Sequence, residues 1–213
     1  MHPLELHFIN ARQTLSLKQH EISSVLQRTW QQANSHIAFN PLDVVIKAGQ
    51  FVLEGKGCLG YCPEPGIVYL TVDPHSSDLS EESLTRMFAH ELHHAARWDG
   101  PGYGRTLGEA LVSEGLAGHF ALEVCGGDPE PWERLDSSVL HAFFERAAEQ
   151  WSQPWYDHNA WFFGTAEIPL WCGYSLGFAL VKAYLREHPQ QSAASLMQAD
   201  AQLFHPYLNR LTR

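Results

Sequence analysis

The sequence predicts an α+β fold, with a small N-terminal sheet packed against a mainly helical C-terminal half. Two observations carry that reading. The segments with strand character, Leu4 to Ile9, Asp43 to Ala48 and Ile67 to Val72, all lie in the first part of the chain. From Asp78 onward, apolar residues recur at helical spacing between Gly- and Pro-rich breaks.

Leu4 to Ile9 alternates weakly and reads as a first strand. Thr14 or Ser16 can cap a helix over about Leu17 to Gln32, whose Ile22, Val25, Leu26 and Trp30 share one stripe. Asp43 to Ala48 is rich in β-branched residues and gives a second strand. Gly55, Gly57 and Gly60 punctuate Phe51 to Tyr61, which predicts a hairpin or loop. Ile67 to Val72 is the clearest strand, ended by Asp73-Pro74. It is either an edge that could pair with an extended substrate or an interior strand.

A helix then starts at Asp78 or Ser80, with Glu81 and Glu82 in the first turn, where the helix dipole favours acids. It runs to about Trp98 and stops at Asp99-Gly100-Pro101-Gly102. Further helices are expected over Thr106 to Cys125, Ser137 to Gln150, Tyr174 to Glu187 and, briefly, Gln191 to Gln202. Gln153 to Pro169 is aromatic and irregular. Trp151, Trp155, Trp161, Phe162, Phe163 and Trp171 either build core or wall a pocket. No repeat or linker divides the chain, so residues 1–213 are expected to form one domain.

The 213 residues, 45% of them apolar, suffice for one sizeable core or two small lobes. The formal charge of -10, without a basic cluster, argues against a nucleic-acid partner. No run reaches the roughly 18 apolar residues of a membrane span. The start Met1-His2-Pro3-Leu4-Glu5 lacks the basic and apolar segments of an export signal, so a cytoplasmic location is expected. Cys58, Cys62, Cys125 and Cys172 are too scattered for a disulfide framework and read as reduced structural thiols.

The chemistry concentrates in His90-Glu91-Leu92-His93-His94. Four residues make about one helical turn, so His90 and His94 point the same way and can hold one zinc ion. Glu91 lies beside them, where a base can take the proton of a water molecule. A catalytic zinc takes three protein ligands and keeps one position open. Glu114, on the next helix beyond the Gly100 to Gly104 turn, supplies the third. Glu109 is a rival ligand or a hydrogen-bond partner of one. His93 points about 100° away and reads as a surface or helix-packing residue. The alternative to a metal site is a solvated, histidine-rich helix face. Leu84, Met87, Phe88, Glu91, Leu92 and Ala95 form or border an apolar band, which argues against that alternative.

Three stretches resemble the DUF2268 family of predicted Zn-dependent proteases: Phe88 to His94, Thr106 to Ala117 (through Ser113-Glu114-Gly115-Leu116-Ala117) and Pro169 to Gly177. More widely they resemble the gluzincins, the thermolysin-like group with two histidines and a downstream glutamate. The likeness spans roughly residues 40 to 187. It implies a zincin-like active-site helix, His90, His94 and Glu114 as zinc ligands, Glu91 as base, and hydrolysis of a peptide or protein substrate. One departure stands out. A carboxylate one turn after Glu114 would steady the ligands, and Gly118 stands there.

An oxyanion formed during hydrolysis needs a further donor, and Tyr174, His158 and Tyr156 are the candidates. Two other functions fit the same ligands. One is a regulatory protein whose zinc shell is closed by a fourth side chain such as His119 or His158. The other is a hydrolase of non-peptide amides or esters.

Overall fold

Four strands form one mixed sheet in the order β1-β2-β4-β3: β1 (Leu4–Ile9), β2 (Leu42–Ala48), β3 (Cys58–Glu64) and β4 (Ile67–Val72). The computed structural model describes residues 3–211. β1, β2 and β4 run parallel, with Val44 opposite Val68 and Ile46 opposite Leu70. A parallel pair needs a crossover, and α1 (Gln19–Ala33) supplies it between β1 and β2. Leu42, Val44 and Ile46 of β2 and Val68, Leu70 and Val72 of β4 are buried, the period-two signature of a covered face.

β3 runs antiparallel to β4 and forms an outer edge. The two join through Pro65-Gly66, where Gly66 has φ 76°, a conformation that glycine adopts at little cost. The register slips between Tyr61 and Glu64, so Pro63, which has no N–H to give, sits at an irregularity of an edge strand. β4 therefore lies inside the sheet, and the edge reading of Ile67 to Val72 is corrected. The hairpin or loop expected over Phe51 to Tyr61 gives way earlier to strand, because Cys58 to Tyr61 already belong to β3.

α1 and α2 (Glu81–Trp98) pack together, and α2 lies on β3 and β4. Neither Thr14 nor Ser16 caps α1, whose N-cap is Lys18 without a side-chain bond. The Asn10 side chain accepts from the Leu15 N–H at 2.9 Å and donates to Ser16 Oγ at 3.2 Å, which commits that hydroxyl to the preceding turn. Ser80 does cap α2 and trades hydrogen bonds with Ser83.

Contacts divide the chain into two compact units, Met1–Asp99 with Glu123–Gly126, and Gly100–Leu122 with Gly127–Arg213. The first contains the sheet, α1 and α2. The second is helical: α3 (Leu107–Cys125, apart from its last turn), α4 (Ser137–Gln150), α5 (His158–Phe163), α6 (Cys172–Glu187) and α7 (His205–Leu211). The α+β class holds. α5 interrupts the stretch expected to be irregular; Asp157 caps it, and Gly164 ends it at φ 65°. The helix expected over Gln191 to Gln202 is instead a set of turns and a 3-10 turn, followed by α7. Ser192 and Ser195 bond each other's backbone N–H, a local alternative to helical pairing.

Within the second unit, α3 and α6 touch backbone to backbone. A Cβ on Gly115 would stand 2.5 Å from the Gly177 carbonyl carbon, and one on Gly177 would overlap the Leu111 carbonyl. The aromatic residues are shared between core and surface. Trp151, Trp161 and Phe162 are buried, whereas Trp155 is 93% exposed and Phe163 47%. No disulfide joins the described cysteines, and Cys58, Cys62 and Cys172 are buried. Among the described residues no helix is long and apolar enough to cross a membrane.

Candidate metal centre

α2 turns its apolar face into the first unit, burying Leu84, Met87, Phe88, Leu92 and Ala95. His90 and His94 follow one turn apart, with their Nε2 atoms 3.1 Å from each other. Two nitrogens on one tetrahedral zinc ion stand about 3.3 Å apart, given bonds of roughly 2.0 Å. The pair therefore has the bite of a chelate. Glu91 is buried, at 5% exposure, and lies against β3. A Cβ at Gly60 would come within 2.6 Å of Glu91 Oε1, so the bare backbone of this strand makes room for the carboxylate. Burial, with the charges of Glu91 and Asp99, pushes the Cys62 thiol far above its usual range and keeps it protonated. The Trp98 indole donates to the Cys62 carbonyl at 2.9 Å and ties the end of α2 to β3. His93 is fully buried, so of its two expected placements the packed one applies.

In the second unit, Glu109 secures the start of α3. Its Oε2 accepts the backbone N–H of Arg105 at 2.7 Å and of Thr106 at 2.8 Å, and the Thr106 hydroxyl at 3.0 Å. The Glu109 N–H in turn donates to Thr106 Oγ1 at 3.3 Å. This reciprocal Thr-x-x-Glu box is a helix cap. It commits Glu109 Oε2 to the start of α3.

Glu114, 8% exposed, lies five residues further along α3 and on its buried side. Its Oε1 accepts the Tyr103 hydroxyl at 2.8 Å. Burial and the Glu114 charge raise the Tyr103 phenol well above its usual pKa. Tyr156 is pushed up to about 12, chiefly by burial and then by Glu114 and Glu109. Tyr156 Oη lies 3.1 Å from His158 Nδ1, and burial lowers the His158 pKa against the pull of Glu114 and Asp157. The His158 ring stacks on Phe162 at 4.5 Å, and Phe162 meets Tyr174 edge-on at 5.0 Å.

Gly118 has a neighbour where its side chain would be. A Cβ there would stand 3.0 Å from Glu133 Cδ and overlap Oε1 of that buried carboxylate. The Glu130 N–H donates to the other Glu133 oxygen at 2.7 Å. His119, one of the residues considered for closing a metal shell, donates Nε2–H to the Phe178 carbonyl at 3.0 Å. It also stacks on Phe178 with ring centres 3.9 Å apart.

The ligand atoms of His90, His94 and Glu114 all lie within 4.8 Å of one another, a cluster able to coordinate a metal ion. Two imidazoles and one carboxylate are a donor set of catalytic zinc sites. The profile of the DUF2268 family, described as "Predicted Zn-dependent protease (DUF2268)", matches residues 17–205. The chain belongs to this family. A comparison with curated proteins finds no match. For this DUF2268 protein, family membership and the cluster together support a zinc-binding hydrolase.

No local sequence pattern singles out three residues that touch α2 or α3: Tyr103 at Glu114, Gly60 at Glu91 and Glu133 at Gly118. Tyr103 was hidden in a Gly-rich turn, Glu133 in a segment with no periodicity, and Gly60 among glycines taken for loop markers. Only Gly60 left a usable signal, since a glycine inside a strand marks close backbone approach.

Proposed function

We propose that this DUF2268 protein is a zinc-dependent peptidase in which His90, His94 and Glu114 hold the ion and Glu91 is the general base. The observation that carries this reading is the 3.1 Å separation of the His90 and His94 Nε2 atoms, with Glu114 in the same cluster. A bound zinc ion would lower the pKa of a water molecule and polarise a substrate carbonyl. Glu91, as the base, would take a proton from the attacking water and deliver it to the departing amine. Its burial against Gly60 holds the carboxylate in one place while it does so.

The substrate is read as an extended peptide lying along β3, with backbone pairing at Gly60, between Cys58, whose carbonyl accepts the Leu53 N–H at 3.1 Å, and the irregularity at Pro63. The outer position of β3 and its closeness to Glu91 through Gly60 support this placement. His158 is the preferred donor to a developing oxyanion. With the Tyr156 hydroxyl on Nδ1, a neutral imidazole carries its proton on Nε2 and presents an N–H. Tyr174, in edge contact with Phe162, is the second donor candidate.

The test is hydrolysis of an unfolded protein and of quenched peptides by the zinc-loaded chain. Glu91→Gln is expected to keep its zinc and to lose hydrolysis by at least about 100-fold. A Glu91→Gln protein that cleaves as fast as the parent would refute the base assignment.

A further inference from the structure

We propose that Tyr103 is a positioning residue for metal binding, fixing the Glu114 carboxylate through its hydroxyl so that a set oxygen faces the cation. This rests on the reading of Glu114 as a ligand. A glutamate has three side-chain torsions, and the last of them decides which oxygen leads. The Tyr103 hydroxyl, 2.8 Å from Oε1, takes one oxygen as a hydrogen-bond acceptor. A bond to a carboxylate is stronger than one between neutral groups, and it fixes the carboxylate plane. Groups that hold a metal ligand in this way commonly affect affinity about as much as some ligands do.

Tyr103 is itself fixed by its own turn. Gly102 and Gly104 have φ 73° and 98°, so glycines on either side of the tyrosine supply left-handed backbone. A Cβ on Gly104 would stand 3.1 Å from Glu109 Oε2, the oxygen that gathers the N–H groups of Arg105 and Thr106. Glu109 thus holds the turn, the turn holds Tyr103, and Tyr103 holds Glu114. The cluster contains a built-in control: the nearby Tyr156 hydroxyl is directed at His158 Nδ1 instead.

The experiment measures equilibrium affinity for zinc, by competition with a chelating dye, on four full-length proteins: parent, Tyr103→Phe, Tyr156→Phe and Glu114→Gln. Tyr103→Phe is expected to weaken zinc about 10- to 100-fold and to alter the visible bands of the cobalt-loaded form. Its metal-free melting should fall only by the loss of one hydrogen bond, with the fold retained. Tyr156→Phe is expected to leave affinity within about twofold, since its hydroxyl does not serve Glu114. Parent-like zinc and cobalt behaviour in Tyr103→Phe, alongside weak binding by Glu114→Gln, would overturn the role of Tyr103 and leave the ligand set standing. Parent-like affinity in Glu114→Gln would overturn the ligand reading itself.

Discussion

A single methyl group at residue 60 would stand 2.6 Å from Glu91 Oε1, in the space the carboxylate occupies. Gly60→Ala should therefore keep zinc, since it leaves the ligands alone, yet slow hydrolysis by about 100-fold, the cost of moving a catalytic group by about 1 Å. Metal content and single-turnover rates on the same preparation check this; parent-like rates would place Glu91 elsewhere in the reaction. The two glutamates of α3 separate in the same way. Glu114→Ala should weaken zinc strongly. Glu109→Ala should leave zinc far less affected and cost about 1 kcal/mol of stability as a lost cap. His90 and His94 were legible because helix spacing turns a sequence pattern into a geometric one, and Glu114 joins them in the cluster. Tyr103 and Glu133 were not legible, because each approaches α3 from a segment whose path no local pattern fixes.

At the level of elements, the small residues in the family-like stretches have a mechanical meaning. Gly115 and Gly177 let the backbones of α3 and α6 touch, which seats the helix carrying Glu114. Gly177→Ala should destabilise the protein by about 1–3 kcal/mol through forced separation of the helices. A lower denaturant midpoint with an unchanged slope would show it, and a parent-like midpoint would mean that the contact gives way cheaply. Three of the four strands and the long helices were readable, β3 having been expected only as a hairpin or loop, and α4 runs from Ser137 to Gln150 as periodicity predicts. Order within the sheet was not readable: β4 is interior because β3 returns antiparallel beside it, a tertiary fact. The cap of α1 and the end of the chain were misjudged where serine hydroxyls serve turns instead of helices.

For the whole molecule, acid stability carries a signature of His119. Burial lowers its pKa from 6.5 to about 4, against the opposing bond to the Phe178 carbonyl. The unfolded chain therefore binds a proton between about pH 6.5 and 4 that the folded chain refuses. Stability falls as the pH drops through that window, by up to about 3 kcal/mol from this residue. His119→Gln keeps an N–H for Phe178 and should show that much less loss between pH 7 and 4 in urea titrations. Equal losses in both proteins would contradict it. The α+β class was legible in the ordering of strands before helices. The sequence left one core or two small lobes open, and the boundary between the two units follows from contacts between distant segments.

X-ray absorption at the zinc edge of the loaded protein tests the central claim most directly. Two imidazole nitrogens with oxygen ligands, at roughly 2.0–2.2 Å, are predicted, falling to one imidazole in His94→Ala. A sulfur ligand, a third imidazole, or a parent protein that retains no zinc would contradict it.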